Sequence, residues 1–258
     1  MIDEIVRISR LAGDAILEIY KRTYSVDTKD DKSPLTEADL ASHAFINDSL
    51  SKLTPDIPVV SEEMTDEEKQ GNQGERFWLV DPLDGTKEFI KKTGQFTVNI
   101  ALIEEGVATL GVVHTPAIRL TYWGQRGRGA FKQEGDQPPV SITARKATPD
   151  NMAIVASRDH AGPLVKELLA TYPDAESTSM GSSLKFCLVS EGKADIYLRD
   201  VPTMEWDTAA AHCIVSEAGG SITLLNQDPL LYNKPGLKNG SIIAIGDPDF
   251  PWKLPKSE

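Results

Sequence analysis

Residues 77–89 read FWLVDPLDGTKEF. The four apolar residues Phe77 to Val80 fit a buried strand. The run stops on Asp81, and Pro82, which has no amide hydrogen to donate, predicts that ladder pairing ends there. Asp84 follows three residues after Asp81. Two carboxylates this close repel each other unless a cation lies between them. Gly85 and Thr86 then open a short helix or turn that runs through Phe89. Amides at a helix start, beside a residue with no side chain, suit an anion that must approach the backbone closely. The stretch therefore joins a cation-attracting acid pair to an anion-attracting turn.

Upstream, apolar residues at helical spacing predict a helix over residues 2–21. Thr36 followed by Asp39 predicts a capped helix start, with the helix reaching about Leu53. The charged stretch 26–34 reads as an exposed, mobile loop, Ile57–Val60 as a strand, and 61–75 as an acidic, solvated segment. Downstream, residues 96–105, 106–116 and 119–125 read as antiparallel strands punctuated by Gly and Pro, followed by a hairpin and loop over 126–139. The composition changes near Val140. A strand at 152–158, helices at 162–172, 181–192 and 206–220, and strands at 194–199, 221–223 and 241–246 alternate as in layered α/β domains. This gives an N-terminal α+β part, 1–140, and a C-terminal α/β part, 141–258, sharing an interface.

The 258 residues carry a formal net charge of −12, which argues against a partner that is a nucleic-acid polymer. A small phosphorylated substrate remains compatible, because a local cation can invert the field inside one cleft. Cys187 and Cys213 lie in apolar stretches without metal-type spacing and read as core thiols in a reducing compartment. No apolar run approaches the length of a membrane span. These features predict a cytoplasmic protein, with loose peripheral association at the inner face of a membrane left open.

Five acids stand at element ends: Asp39, Glu62, Asp81, Asp84 and Asp207. Each could be a helix cap or a solvated charge, but as a set they suit one cleft and hard, oxygen-seeking ions such as Mg²⁺. In this reading Asp81 bridges two ions, Asp84 holds one, and the Leu83 carbonyl adds an oxygen.

The motifs DPLDGT, SEE (61–63) and WDTAAAHCIVSEAGG (206–220) resemble the lithium-sensitive, Mg²⁺-dependent phosphatase superfamily that includes inositol monophosphatase. The likeness spans 35–220, and KEF after DPLDGT, SRDH (157–160) and GSSLK (181–185) resemble its 3′(2′),5′-bisphosphate nucleotidase branch. Ala211 departs from the glycine usual in the superfamily without removing a ligand. The resemblance implies a layered αβαβα sandwich, with an antiparallel N-terminal sheet and a mixed C-terminal sheet. It implies two or three Mg²⁺ ions: Glu62, Asp81 and the Leu83 carbonyl at one, Asp81, Asp84 and Asp207 at a second, and Glu62 with Asp39 near a third.

By the same resemblance, the Thr86 hydroxyl, paired with Asp39 or Glu62, orients the attacking water, and Gly85, Thr86 and Asp207 face the substrate. Ser182, Ser183, Lys185, Arg199 and His160 are implied to bind the phosphate that is not cleaved, together with the nucleoside, and Arg158 stands beside them. Simpler roles are open for these residues: a helix cap for Ser182, solvation for Lys185, and pairing with Asp200 or Glu205 for Arg199. Trp206 reads as core, and Glu88, Lys29, Asp30 and Asp31 as uncertain contributors. The implied activity is hydrolysis of the 3′-phosphate of adenosine 3′,5′-bisphosphate, or of its phosphosulfate relative, by a monomer or homodimer in sulfate assimilation. The alternatives are an inositol- or sugar-phosphate phosphatase and, ranked lower, a non-catalytic divalent-ion-binding protein.

Overall fold

A computed structural model of the chain describes residues 1–28, 34–71, 74–156 and 162–255. Its first half runs α1 (Ile2–Tyr20), β1 (Val26–Thr28), β2 (Pro34–Thr36), α2 (Glu37–Leu53), β3 (Val59–Ser61), α3 (Asp66–Gly71), β4 (Arg76–Asp84) and α4 (Thr86–Ile90). Strands β5 (Thr97–Glu104), β6 (Val107–Thr115), β7 (Leu120–Gln125), β8 (Gly129–Glu134) and β9 (Val140–Ile142) follow. The remainder is β10 (Ala153–Ala156), α5 (Pro163–Thr171), β11 (Glu176–Ser179), α6 (Leu184–Ser190), β12 (Ile196–Arg199), β13 (Thr203–Met204), α7 (Ala209–Glu217), β14 (Ser221–Leu224), β15 (Lys238–Asn239) and β16 (Ile242–Ile245).

Side-chain alternation along β4 shows why the layers form. Trp78 and Val80 point to one face of a seven-stranded sheet, ordered β3 to β9, and pack on Ile5, Ile8 and Ile16 of α1 and Ile46 and Leu50 of α2. Phe77 and Leu79 point to the other face and meet Leu184 and Cys187 of α6 and Ala210 and Ile214 of α7. These two helices are covered in turn by Val155, Tyr197 and Ala244 of a five-stranded sheet, order β11-β10-β12-β16-β14. The far face of that sheet packs on Val165 and Leu168 of α5. The order is therefore αβαβα. The first sheet is antiparallel except where β3 joins β4 in parallel, and the second is mixed.

Local outcomes differ from the sequence expectations in instructive ways. Pairing does not end at Pro82: Asp81 lies opposite Asn99 and Asp84 opposite Thr97, so three steps on β4 span two on β5. The proline sits in this bulge, where no ladder donor is required. The ends of the stretch read as a mobile loop pair as β1 and β2, with Val26 opposite Thr36. Its acidic centre, including Lys29, Asp30 and Asp31, lies outside the described residues. Helix α6 begins at Leu184 rather than at Gly181, because Ser182 takes a left-handed φ of 48°. Edge strand β11 escaped notice because Glu176–Ser179 contains no apolar residue to mark a face. Among the described residues, no helix is long and apolar enough to cross a membrane.

One contact sets the spacing of the central layers. Gly111 on β6 lies directly opposite Gly124 on β7, and α7 crosses this bare patch. A methyl group built at Gly111 would stand 2.1 Å from the Ala210 carbonyl oxygen, and one at Gly124 3.1 Å from the Ile214 Cα. Backbone here meets backbone, which cannot yield as a side chain can. Gly111→Ala is expected to destabilise the fold by about 3 kcal/mol or more. Gly240→Ala, at an exposed site with open space around it, should change stability by less than about 0.5 kcal/mol. Denaturant midpoints of the two variants check this pair.

Candidate active site

The bulge in β4 is what brings the acids together. It turns Asp84 toward β5, while the capped start of α2 and the turn into α7 deliver Asp39 and Asp207. One carboxylate oxygen from each of Asp81, Asp84 and Asp207 lies within 4.8 Å of the others. Glu62 joins them, since its carboxyl shares a hydrogen bond with Asp81. Its own amide donates to the Val80 carbonyl at 3.1 Å, which ties the end of β3 to β4.

Protein donors anchor these acids. Asp81 Oδ1 accepts from the Leu83 amide at 3.1 Å, and Asp207 Oδ2 from the Met204 amide at 2.7 Å. Asp39 closes a capping box, accepting from the Thr36 amide at 2.8 Å and the Thr36 hydroxyl at 2.6 Å. The other oxygen of Asp39 takes the Thr86 hydroxyl at 3.2 Å, with the Leu83 carbonyl 3.4 Å from the same hydroxyl. Asp39 and Asp81 are each 1% exposed. Burial, and then the charges of Glu62, Asp84 and Asp207, hold the Asp81 carboxyl well above the usual carboxylate range. Burial, with Asp84 and Glu62 close by, pushes Asp207 up to about 8. The cluster thus resists full ionisation on its own, and its all-oxygen donor set fits a hard divalent cation.

From Asp84 and Asp207 a cleft runs outward between α4 and the start of α6. Gly85, at φ 92°, needs its lack of a side chain for conformation as well as space: a methyl group there would lie 3.2 Å from both the Gln95 carbonyl oxygen and Ser182 Cβ. Lys185 and Arg199 stand on the far wall. Lys185 is 6% exposed and donates to the Ser182 carbonyl at 2.7 Å. Burial pushes its ammonium down to about 8, against the pull of Asp84. Arg199 Nε is buried without a hydrogen-bond partner. Its alternative partners are engaged elsewhere: Asp200 accepts from the Leu164 amide at 3.1 Å, and Glu205 pairs with Lys234 at 2.7 Å. Among the described residues no carboxylate forms an ion pair with Lys185 or Arg199.

The two serines part company. Ser182 lines the cleft and exchanges a 3.1 Å hydroxyl contact with Thr97. Ser183 also borders it, but its amide and hydroxyl are turned onto Asp84 at 2.7 and 2.9 Å. His160 and Arg158 lie outside the described residues. Trp206 is 6% exposed in the core, with the Lys69 ammonium 4.8 Å from its ring centre. Glu88 lines the cleft, as do Lys87, Lys91 and Gln95, which the sequence reading did not single out. Nor did it single out Thr97 and Asn99, which reach Asp84 from β5. Their signal was present as two polar residues, two apart, inside the apolar run FTVNIALI.

The profile of the inositol monophosphatase family matches residues 1–247. The chain is 46% identical, over 90% of its length and 94% of the relative's, to the 3′(2′),5′-bisphosphate nucleotidase CysQ of Escherichia coli strain K12. It is 37% identical, over 98% of its length and 95% of the relative's, to the protein of the same description in Aggregatibacter actinomycetemcomitans. Among solved structures, CysQ from Bacteroides thetaiotaomicron, described as a bacterial member of the inositol monophosphatase family, superposes with a TM-score of 0.83. That match carries 38% identity over 95% of this chain and 97% of the other. The profile match, the high identity and the shared αβαβα architecture lead to one conclusion: the chain belongs to the inositol monophosphatase family.

Proposed function

We propose that the protein is a Mg²⁺-dependent 3′(2′),5′-bisphosphate nucleotidase that removes the 3′-phosphate of adenosine 3′,5′-bisphosphate to give AMP and phosphate. One observation carries the choice of substrate. The carboxylate cluster opens into a cleft whose opposite wall presents Lys185 and Arg199, neither held in an ion pair among the described residues. A single phosphate at the cluster would not need them, whereas a second phosphate would. The likeness to the curated nucleotidases supports the same reading.

The ligand assignment follows the carboxylates. Glu62, Asp81 and the Leu83 carbonyl would hold one Mg²⁺, and Asp81, Asp84 and Asp207 a second, with Asp39 and Glu62 near a third. Divalent ions bound there would supply Lewis acidity, neutralising the phosphate and acidifying a water. The chain itself handles the proton. The Thr86 hydroxyl donates to Asp39 Oδ1 at 3.2 Å, so its hydrogen is committed and its oxygen serves as an acceptor. That polarity suits it to accept a hydrogen bond from a water O–H, with the Asp39 carboxylate behind it as the proton acceptor. Thr36 fixes Asp39 through two hydrogen bonds, so the relay is placed before substrate arrives. On the far side, Lys185 and Arg199 would grip the retained phosphate and hold the ribose so that its 3′ oxygen faces the cluster.

Phosphate release from adenosine 3′,5′-bisphosphate and from inositol 1-phosphate, each with Mg²⁺, tests the reading. The nucleotide is expected to be turned over with much the higher kcat/KM, and equal turnover of both would refute the assignment. Arg199→Met should raise KM for the bisphosphate about 10- to 100-fold, the worth of a charge-assisted hydrogen bond, while leaving inositol 1-phosphate hydrolysis nearly unaffected. Thr86→Val is expected to lower kcat by about 10²- to 10⁴-fold with little change in Mg²⁺ affinity, as measured by steady-state kinetics and calorimetry.

The acid cluster also predicts a pH response in EDTA. A carboxyl held above its ordinary value of 3.8 favours the folded state while it keeps its proton, and that contribution is lost as pH rises through its folded value. His114 and His212, pushed down by burial to about 3 and about 4 from 6.5, act in the opposite direction at lower pH. Between pH 6.5 and about 8 the histidines, His43 among them, no longer contribute and the carboxyls set the slope, with Lys185, pushed down to about 8, opposing them only at the upper end of the window. The melting temperature in EDTA should fall across that window, and saturating Mg²⁺ should flatten the trend. A melting temperature that is level under both conditions would count against cation binding by this cluster.

A further inference from the structure

The hydrogen bonds to Asp84 are all on one side. Its Oδ2 accepts from the Ser183 amide at 2.7 Å, the Ser183 hydroxyl at 2.9 Å, the Thr97 hydroxyl at 3.4 Å and the Asn99 side-chain amide at 3.4 Å. Among the described residues no donor reaches its Oδ1. The short bonds come from Ser183, in the second half of the chain, and the long ones from β5, on the strand beside Asp84. The rotation of this carboxylate is therefore fixed mainly from outside its own sheet.

Asn99 supports the same device. Its side-chain amide donates to Ser183 Oγ at 2.9 Å, while its Oδ1 is buried with no partner. Turning the group over would pair Oδ1 but set it against the Asp84 carboxylate, so this orientation is the only one compatible with a charged Asp84. A buried unpaired carbonyl is costly. Its presence here indicates that the amide is held where it is for what it touches. Ser183 Oγ also lies 2.9 Å from the Asp207 carbonyl, so one residue links the settings of Asp84 and Asp207 with the start of α6, which carries Lys185.

We propose that Ser183, backed by Asn99, is the positioning residue for Asp84: it locks Oδ2, presents Oδ1 to a divalent cation, and ties cation affinity to the seating of α6. The inference rests on the reading that Asp84 is a cation ligand. It changes the part assigned to Ser183 from a contact with substrate to a support for a ligand.

Calorimetric titration of the full chain with Mg²⁺, without substrate, tests it. Ser183→Ala is expected to bind Mg²⁺ about 10- to 100-fold more weakly, the usual loss when a partner of a metal ligand is removed. Ser183→Thr, which keeps the hydroxyl, should restore affinity, and the activity lost by the alanine variant at limiting Mg²⁺ should return as Mg²⁺ is raised. Wild-type affinity in Ser183→Ala, alongside a large loss in Asp84→Asn, would overturn the positioning role and leave the ligand reading standing. Wild-type affinity in Asp84→Asn would instead overturn the ligand reading, and the clamp with it. Should Ser183→Ala fail to fold, Asn99→Ala carries the test from the β5 side, and an unchanged Mg²⁺ affinity there overturns the proposal.

Discussion

The close seat of α7 on the paired glycines of β6 and β7 is the contact on which the site depends. Asp207 stands just before that helix, and Asp81 and Asp84 stand on the sheet beneath it. With Gly111 and Gly124 bare, the helix backbone can approach until side chains no longer set the distance. Asp207 then reaches the other two acids. A larger residue at either glycine would lift the helix and separate carboxylates whose usefulness depends on a few ångströms.

That closeness has an electrostatic consequence. Asp81 is buried and Asp207 half-buried beside Asp84 and Glu62, whose charges raise the cost of ionising both. The protein stabilises the arrangement in part with its own donors: Thr36 on Asp39, the Leu83 amide on Asp81, the Met204 amide on Asp207 and Ser183 on Asp84. Donors arranged this way orient the acids without neutralising them. What remains is a strong local demand for positive charge in a protein of net charge −12. Across the cleft the balance reverses, with Lys185 and Arg199 free of carboxylate partners among the described residues. An elongated ligand with anionic groups at both ends matches a cleft with a carboxylate cluster fit for cations at its near end and two cationic side chains at its far end.

Much of this was legible in the chain alone. DPLDGT marked the acid pair, Thr36 with Asp39 marked the capped start of α2, and the alternation of helix and strand after Val140 marked the second sheet. These signals are local: a cap, a turn and a periodic face each operate within a few residues. The misreadings were also local rules overridden by distant partners. Pro82 ends a regular ladder, yet β5 supplied a bulge that let pairing resume at Asp84. GSSLK read as a helix from Gly181, yet Ser182 turned left-handed and the helix begins at Leu184.

The sequence by itself determined the chemistry available: which oxygens could serve a hard cation, which amides could face an anion, and the layered class of the fold. It did so because composition and short-range periodicity are properties of neighbouring residues. Only the tertiary structure decided that Asp207 meets Asp81 and Asp84, that Asn99 and Ser183 serve one carboxylate, and that Arg199 is spared by Asp200 and Glu205. Those outcomes depend on backbone approach between elements far apart in the chain, and no spacing within one element encodes that distance.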